Sequence, residues 1–310
     1  MKQVVLITSV PPFSGYHGNM RRMNDCIMDL RRAGYAVHIS YHRDGMHLRP
    51  ENLPPDVTWD VYVPGLLWRV LRHARDRMIG LANRWLNRLG IFINHPLDGL
   101  MDPAYPKYLR ARFADQPPVA VIVVYVWMTG AFKAFPPGCR RIVDTQDVFA
   151  NRKRNHYSHG VPCATYSLTP RAERRGLNRA DILLAIAREE HDYFKQLGLP
   201  ALLMLYEPAF PELPPPDNAR KGNSILFVAS DNTANVHAGL MLLDAWSRIT
   251  RPEYGTQLHV VGYVCAKIQP HNRAPNVVFH GPVDDLVPHY RNAALTVVPQ
   301  IELSLLVARI

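Results

Sequence analysis

The sequence predicts an α/β protein built from two parallel-sheet units, and three observations carry that reading. Short runs rich in Val and Ile alternate with segments whose apolar residues recur at helical spacing, the pattern of strands covered by helices on both faces. A stretch dense in proline and poor in apolar periodicity, 206–223, interrupts the alternation as a stiff linker. The alternation then restarts, and a length of 310 residues accommodates two such units.

The first run, Gln3–Thr8, reads as a continuous apolar strand. The loop SVPPFSGYHG follows, and then Met20, Met23, Ile27 and Leu30, which share one helical face. Gly34 sits where a helix closes in the left-handed region and Ala36–Ser40 resumes as a strand, so 3–40 forms one β-loop-α-β unit. Further strands are expected at 119–126, at 141–143 ending on Asp144, and at 182–187, with helices near 170–179 and over 188–197. Beyond the linker come a strand at Ser224–Val228, a loop at Ala229–Asn235 and a helix with Val236, Leu240, Leu243, Trp246 and Ile249 on one side. Strands at Leu258–Val261, Val277–Phe279 and Leu295–Val298 complete the reading. The expected domains are 1–206 and 224–310, joined by 207–223. The second shows about four strands against about six in a complete doubly wound sheet, so it is expected to be incomplete.

Apolar runs such as Val119–Met128 are far shorter than the ~20 residues that cross a bilayer. Met1–Lys2 lead straight into Val4–Ile7 without the features of a cleaved leader, which predicts a cytoplasmic protein. Cys26, Cys139, Cys163 and Cys265 contain no C-x-x-C pair, which argues against a disulfide framework and a zinc site. A formal charge of +10 points to an anionic partner, whether nucleotide phosphate, lipid head group or nucleic acid. No recognised DNA- or RNA-binding context surrounds the basic residues, and no nucleic-acid partner is expected.

The loop Pro11–Gly18 joins the first strand to the first helix, where backbone N–H groups and a helix N-terminus can hold an anion or a sugar hydroxyl. Gly15 and Gly18 would let the backbone approach a ligand; an ordinary turn is the competing reading. The loop is not G-x-G-x-x-G, which argues against a nicotinamide dinucleotide.

PPFSGYHGNMRRMNDCIMDLRRAGYAVHI resembles the opening of family 4 glycosyltransferases. IVDTQDVFANR (142–152), LNRADILLAIAREEHDYF (177–194), ILFVASDNTANVHAGLMLLDAW (225–246), LHVVG (258–262) and NVVFHGPVDDLVPHY (276–290) continue the resemblance in the family's order. It implies a GT-B fold, two Rossmann-like domains facing a cleft, the first on the acceptor side and the second binding the donor. The implied activity is a retaining glycosyltransferase that moves a hexose from a nucleoside-diphosphate sugar to a cell-surface glycan or lipid-linked acceptor. No metal or cofactor is implied: helix N-termini and basic side chains would stabilise the departing diphosphate.

Residue by residue, the resemblance places Gly15, Tyr16, His17 and Gly18 in the family's glycine loop. Asp144, Gln146 and Asp147 fall on a motif that usually reads D-T-H-D, with Gln146 and Asp147 as catalytic candidates and Asp144 as a donor contact. Gln146 replaces the histidine; it can hydrogen-bond a hydroxyl but carries no titratable proton. Arg152 and Arg154 are phosphate contacts or a solvated basic loop. Asn235 opens the first helix of the donor domain, as ligand or as cap. Gly281, Pro282 and Val283 form the turn expected beside the nucleobase, or a plain strand-to-helix turn. After TVVP (296–299) relatives carry a Gly-rich loop and a helix with a Lys and glutamates that grip the diphosphate, whereas QIELSLLVARI follows here. This implies a C-terminally truncated chain. It raises the alternative of an inactive homologue that only binds acceptor or membrane; a sugar-nucleotide 2-epimerase of the same architecture is a further one.

LLWRVLRHARDRMIGLANRWLNRLGIF (66–92) places Trp68, Leu71, Met78, Trp85, Leu89 and Phe92 near one side, with arginines mostly elsewhere. Such a basic amphipathic helix is a candidate for an anionic membrane surface, with Trp68, Arg72, Arg75, Trp85 and Arg88 as the contacts. The chain would then be peripheral on the inner face of the membrane. The competing reading packs the apolar stripe on the first domain and solvates the arginines.

Overall fold

The computed structural model describes residues 2–13, 18–43, 53–161, 166–207, 223–249 and 255–299. Gly15, Tyr16, His17, Cys163, most of the proline-rich stretch and the segment after Pro299 lie outside the described residues. The chain divides into two compact units, one around the first seven strands and one around the last four.

The first unit runs β1 (Gln3–Thr8), α1 (Gly18–Arg32), β2 (Ala36–His42), β3 (Thr58–Tyr62), α2 (Leu66–Leu86), α3 (Tyr105–Arg112) and β4 (Ala120–Val124). It continues through β5 (Arg140–Asp144), α4 (Arg152–Ser158), α5 (Pro170–Leu177), β6 (Ile182–Ala185), α6 (Arg188–Gln196) and β7 (Leu202–Leu205). All strands are parallel, in the order β3-β2-β1-β4-β5-β6-β7. β1 and β4 are central and buried on both faces, which is why they read as unbroken Val/Ile/Leu runs instead of alternating. Met20, Met23 and Ile27 of α1 are buried in the same core as Leu6, Val121, Val123 and Val143.

The run 119–126, expected as one strand, ends at Val124. Tyr125 takes a φ of 74° and turns the chain into a 3-10 helix, Val126–Ala134, whose residues are almost all buried. Burial of this segment, not a longer strand, explains the length of the apolar run. The strand expected at 182–187 stops at Ala185. β3 and β7 were not expected; they are the two sheet edges, partly exposed and without a clean apolar pattern. Arg152 opens a helix where a basic loop was one expectation.

The second unit comprises β8 (Ser224–Val228), α7 (Thr233–Ile249), β9 (Gln257–Val261), α8 (Val264–Ile268), β10 (Val277–Gly281), α9 (Val287–Asn292) and β11 (Leu295–Thr296), shorter than the strand expected there. Its four described strands are parallel in the order β10-β9-β8-β11. Phe227, Leu243, Trp246, Leu258, Val260, Val264 and Ile268 form the core on one face, and Leu226, Val261 and Ala293 cluster on the other. The Trp246 indole N–H donates to the Pro275 carbonyl at 3.0 Å. No described helix is long and apolar enough to cross a membrane.

Gly262, directly after β9, is the tightest backbone position of this unit. Its φ is 108°, its N–H donates to the Gly281 carbonyl at 2.7 Å, and a Cβ would stand 2.2 Å from the Ala229 carbonyl oxygen. Only glycine lets the β8 and β9 exits approach this closely. Gly262→Ala is expected to destabilise the chain by about 3 kcal/mol, with the loss read as an earlier urea-unfolding transition; an unchanged midpoint would contradict this packing.

Candidate active site

In an open parallel sheet, the crevice for a ligand opens at the carboxyl ends of strands where the strand order reverses. In the first unit that point lies between β1 and β4. The Thr8 hydroxyl closes the end of β1, accepting from the Val10 N–H at 2.9 Å and donating to the Val10 carbonyl at 2.8 Å. Asn24 of α1 accepts the Phe13 N–H at 3.0 Å, tying the entry of the loop to the helix that follows it. Gly18 is the first residue of α1, exposed, with nothing within 4 Å of a Cβ placed there, so the protein's own packing does not require glycine at this position.

Beneath the loop, Arg22 of α1 and Asp144 at the end of β5 form an ion pair at 2.8 Å, both fully buried. Arg22 also donates to the Tyr206 carbonyl and lies over the Tyr206 ring. The second Asp144 oxygen accepts from the Gln146 amide at 2.5 Å. Burial raises the Asp144 pKa while Arg22 and Gln146 pull it back. Asp144, expected as a donor contact, is therefore turned inward with both oxygens engaged. Gln146, expected as a catalytic candidate, has a φ of 61°, is buried, and spends its amide N–H on Asp144.

Asp147 accepts the Val148 N–H at 2.8 Å and pairs with Arg152, whose guanidinium lies over the Phe149 ring. The two expected site residues thus meet each other. Tyr125 stacks on Trp127 at 4.3 Å, its hydroxyl accepts from the Asn19 amide at 2.8 Å, and Phe149 meets both rings edge-on. Glu173 supports this group from below: it accepts the Phe149 N–H at 2.6 Å and the Tyr193 hydroxyl at 3.0 Å, and burial pushes its carboxyl up to about 7.

In the second unit the corresponding reversal lies between β8 and β11. The cap of α7 is Asn232, whose side chain accepts the Asn235 N–H at 2.8 Å, while the Asn235 amide donates to the Ser230 hydroxyl at 2.9 Å. Asn235 therefore braces the β8–α7 loop instead of capping the helix. Gly281 has a φ of 73°, Pro282 is exposed, and Val283 packs against the Leu226 and Val261 cluster as part of the core. On this unit His259 stacks on His280, with His259 Nδ1 2.9 Å from His280 Nε2, and His280 meets His289 edge-on.

Residues 222–308 match the family model described as Glycosyl transferases group 1. The fold of the whole chain is that of GT-B proteins, as the sequence led one to expect. Sucrose-phosphate synthase from Thermosynechococcus elongatus superposes with a TM-score of 0.64 at 15% identity, over 97% of this chain and 76% of its own. The lipopolysaccharide outer core galactosyltransferase WaaB gives 0.57 at 14%, over 94% and 73%. TarM from S. aureus, solved with UDP, gives 0.56 at 8%, over 96% and 80%. No curated protein matches the chain in sequence.

In the first unit, the residues that sequence reasoning missed are Arg22, Asn19, Tyr125, Glu173 and Glu190. Arg22 interrupts an otherwise apolar patch of α1, and a buried cation there demands a buried acid; that was the available signal. Arg22→Met leaves Asp144 buried without its counter-charge and is expected to cost about 3–5 kcal/mol, most of it recovered by adding Asp144→Asn. Strictly additive losses in denaturant unfolding of the single and double variants would contradict the pair.

Glu190 is wholly buried, accepts the Ile186 N–H at 3.0 Å, and is pushed by burial up to about 7 from an ordinary 4.5. The folded state thus retains a proton that the unfolded chain releases near pH 4.5, so this group's contribution declines as pH rises through 4.5 to 7. Glu190→Gln preserves the acceptor and removes the titration. Its stability should exceed that of the parent by a margin that grows to about 3 kcal/mol between pH 5 and 8 in thermal melts.

Proposed function

We propose that the chain is a nucleotide-sugar-dependent hexosyltransferase that acts on a cell-surface glycan or lipid-linked acceptor at the cytoplasmic face of a membrane, with retention at the anomeric carbon. The observation that carries this reading is the coincidence of a group 1 second unit with a first-unit cluster at the strand-order reversal. In that cluster Asn19, Tyr125, Gln146, Asp147 and Arg152 gather around the exits of β4 and β5. The UDP held by TarM supports a nucleoside diphosphate as the donor's leaving group.

On this reading the first unit receives the acceptor beside Tyr125 and the 11–18 loop, while the turns at 229–235 and 281–283 of the second unit receive the nucleotide. Arg152, oriented by Asp147 and Phe149, supplies positive charge to an anionic group as it develops. Asp144 and Arg22 act as positioning residues that hold the exit of β5 against α1.

A second reading is favoured by Gln146. Its amide is committed to Asp144 and it carries no titratable proton, which suits a chain that binds substrate without turning it over. Incubation with a panel of labelled nucleotide sugars and a bacterial lipid extract decides between them. The transferase reading expects release of nucleoside diphosphate together with labelled lipid or glycan. Nucleotide binding by calorimetry with neither transfer nor donor hydrolysis would establish the binder, and conversion of the donor sugar to its 2-epimer would establish an epimerase.

A further inference from the structure

The face of α2 that carries the apolar residues is not the face that packs on the first unit. Leu67, Leu71, Ala74, Met78, Leu81 and Trp85 follow one another at intervals of three and four, a single stripe along the helix. All six are exposed, Leu67, Met78 and Trp85 by 72%, 69% and 71%. Leu89, in the turn that extends the helix, is 73% exposed. A stripe of this kind ordinarily faces the core.

The inward face mixes the buried Ile79 with polar groups whose contacts are specific. The Asn83 amide donates to the Ile79 carbonyl at 2.8 Å and the Ile93 carbonyl at 2.9 Å, and accepts the Ile93 N–H at 2.8 Å. Arg75 donates to the Gly99 carbonyl at 2.8 Å and pairs with Asp76. Trp68 meets the buried His42 edge-on and lies under Arg72. Trp68, Arg72 and Arg75, expected at a membrane surface, therefore belong to the inward face. The reading in which the stripe packs on the domain is also overturned. Trp85 and Arg88 remain outward.

Beside the exposed stripe runs a second row, Arg69, Arg77, Arg84 and Arg88, all exposed. The one acidic residue of the helix, Asp76, is turned inward against Arg75. An apolar stripe bordered by arginines, with Leu66 and Val70 also exposed on that side and no acid among them, matches an anionic bilayer, with side chains in the acyl boundary and guanidinium groups at the phosphates. It does not match a second copy of the chain, because pairing two such helices would bring like-charged rows together without an acid to separate them.

We propose that α2 is an inverted amphipathic helix that docks the first unit on an anionic lipid bilayer through Leu67, Leu71, Met78, Leu81 and Trp85, with Arg77 and Arg84 on the head groups. The docking gives access to a lipid-linked acceptor only if the proposed transferase reading holds, but the docking itself is measured separately from transfer.

The test is flotation of the full chain with phosphatidylcholine vesicles, with and without phosphatidylglycerol. The chain is expected to float with the mixed vesicles and to be released as salt rises. Leu71→Asp with Met78→Asp should lower partitioning at least about 100-fold. Arg77→Gln and Arg84→Gln should each lower it about fivefold on the anionic vesicles only. Because these side chains are exposed, circular dichroism and the melting temperature should not change, and neither should nucleotide-sugar hydrolysis measured without membrane. Failure to float, or equal flotation of the Leu71→Asp/Met78→Asp variant, would overturn the proposal. A dimer in light scattering that the same variant abolishes would instead assign the stripe to self-association.

Discussion

The ion pair between Arg22 and Asp144 is the constraint on which the first unit's reactive end depends. It joins α1, the helix that receives the glycine loop, to the exit of β5, the strand that delivers Gln146 and Asp147. Two charges taken wholly out of water are tolerated only when their geometry is nearly complete, and Gln146 and the Tyr206 carbonyl supply the additional hydrogen bonds. The pair makes the separation between α1 and β5 a fixed quantity, since movement by either would leave a buried charge unpaired. Neighbouring groups are then placed from these two: Asn19 reaches Tyr125 from α1, and Asp147 reaches Arg152 from beyond β5.

A second layer supports the first. Glu173 holds the backbone at Phe149 and the Tyr193 hydroxyl, and Glu190 holds the backbone at Ile186, both from positions wholly out of solvent. These carboxyls lie on α5 and α6, the helices whose outward surfaces are polar. Their inward acids serve as connectors from helix to loop, where an apolar residue would leave an N–H without a partner.

Much of the fold was legible because central parallel strands bury both faces and so announce themselves as apolar runs; β1 and β4 were found for that reason. Edge strands β3 and β7 were not, because half their surface faces water and little distinguishes them from loops. At the site, the D-T-Q-D stretch pointed to the correct place but not to the direction in which its side chains turn. Asp144 is consumed by Arg22, and no spacing along the chain connects residues separated by so much sequence. Tyr125 was absorbed into a strand because its positive φ has no glycine to advertise it. In α2 the periodicity was correct and the face was not: a pattern of threes and fours fixes which residues share a side, while only the partners of Asn83 and Arg75 decide which side turns inward.

The inversion of α2 also reverses the usual bearing of hydropathy on tolerance to change. In most helices of a globular protein the apolar positions are constrained by packing and the polar ones drift freely. Here Asn83 and Arg75 are fastened to backbone carbonyls, while Leu67 and Met78 touch little of their own protein. Two pressures therefore fall on different faces of one helix, folding on the inward side and surface chemistry on the exposed apolar side. Sequence drift among descendants of this chain should record them as two separable histories.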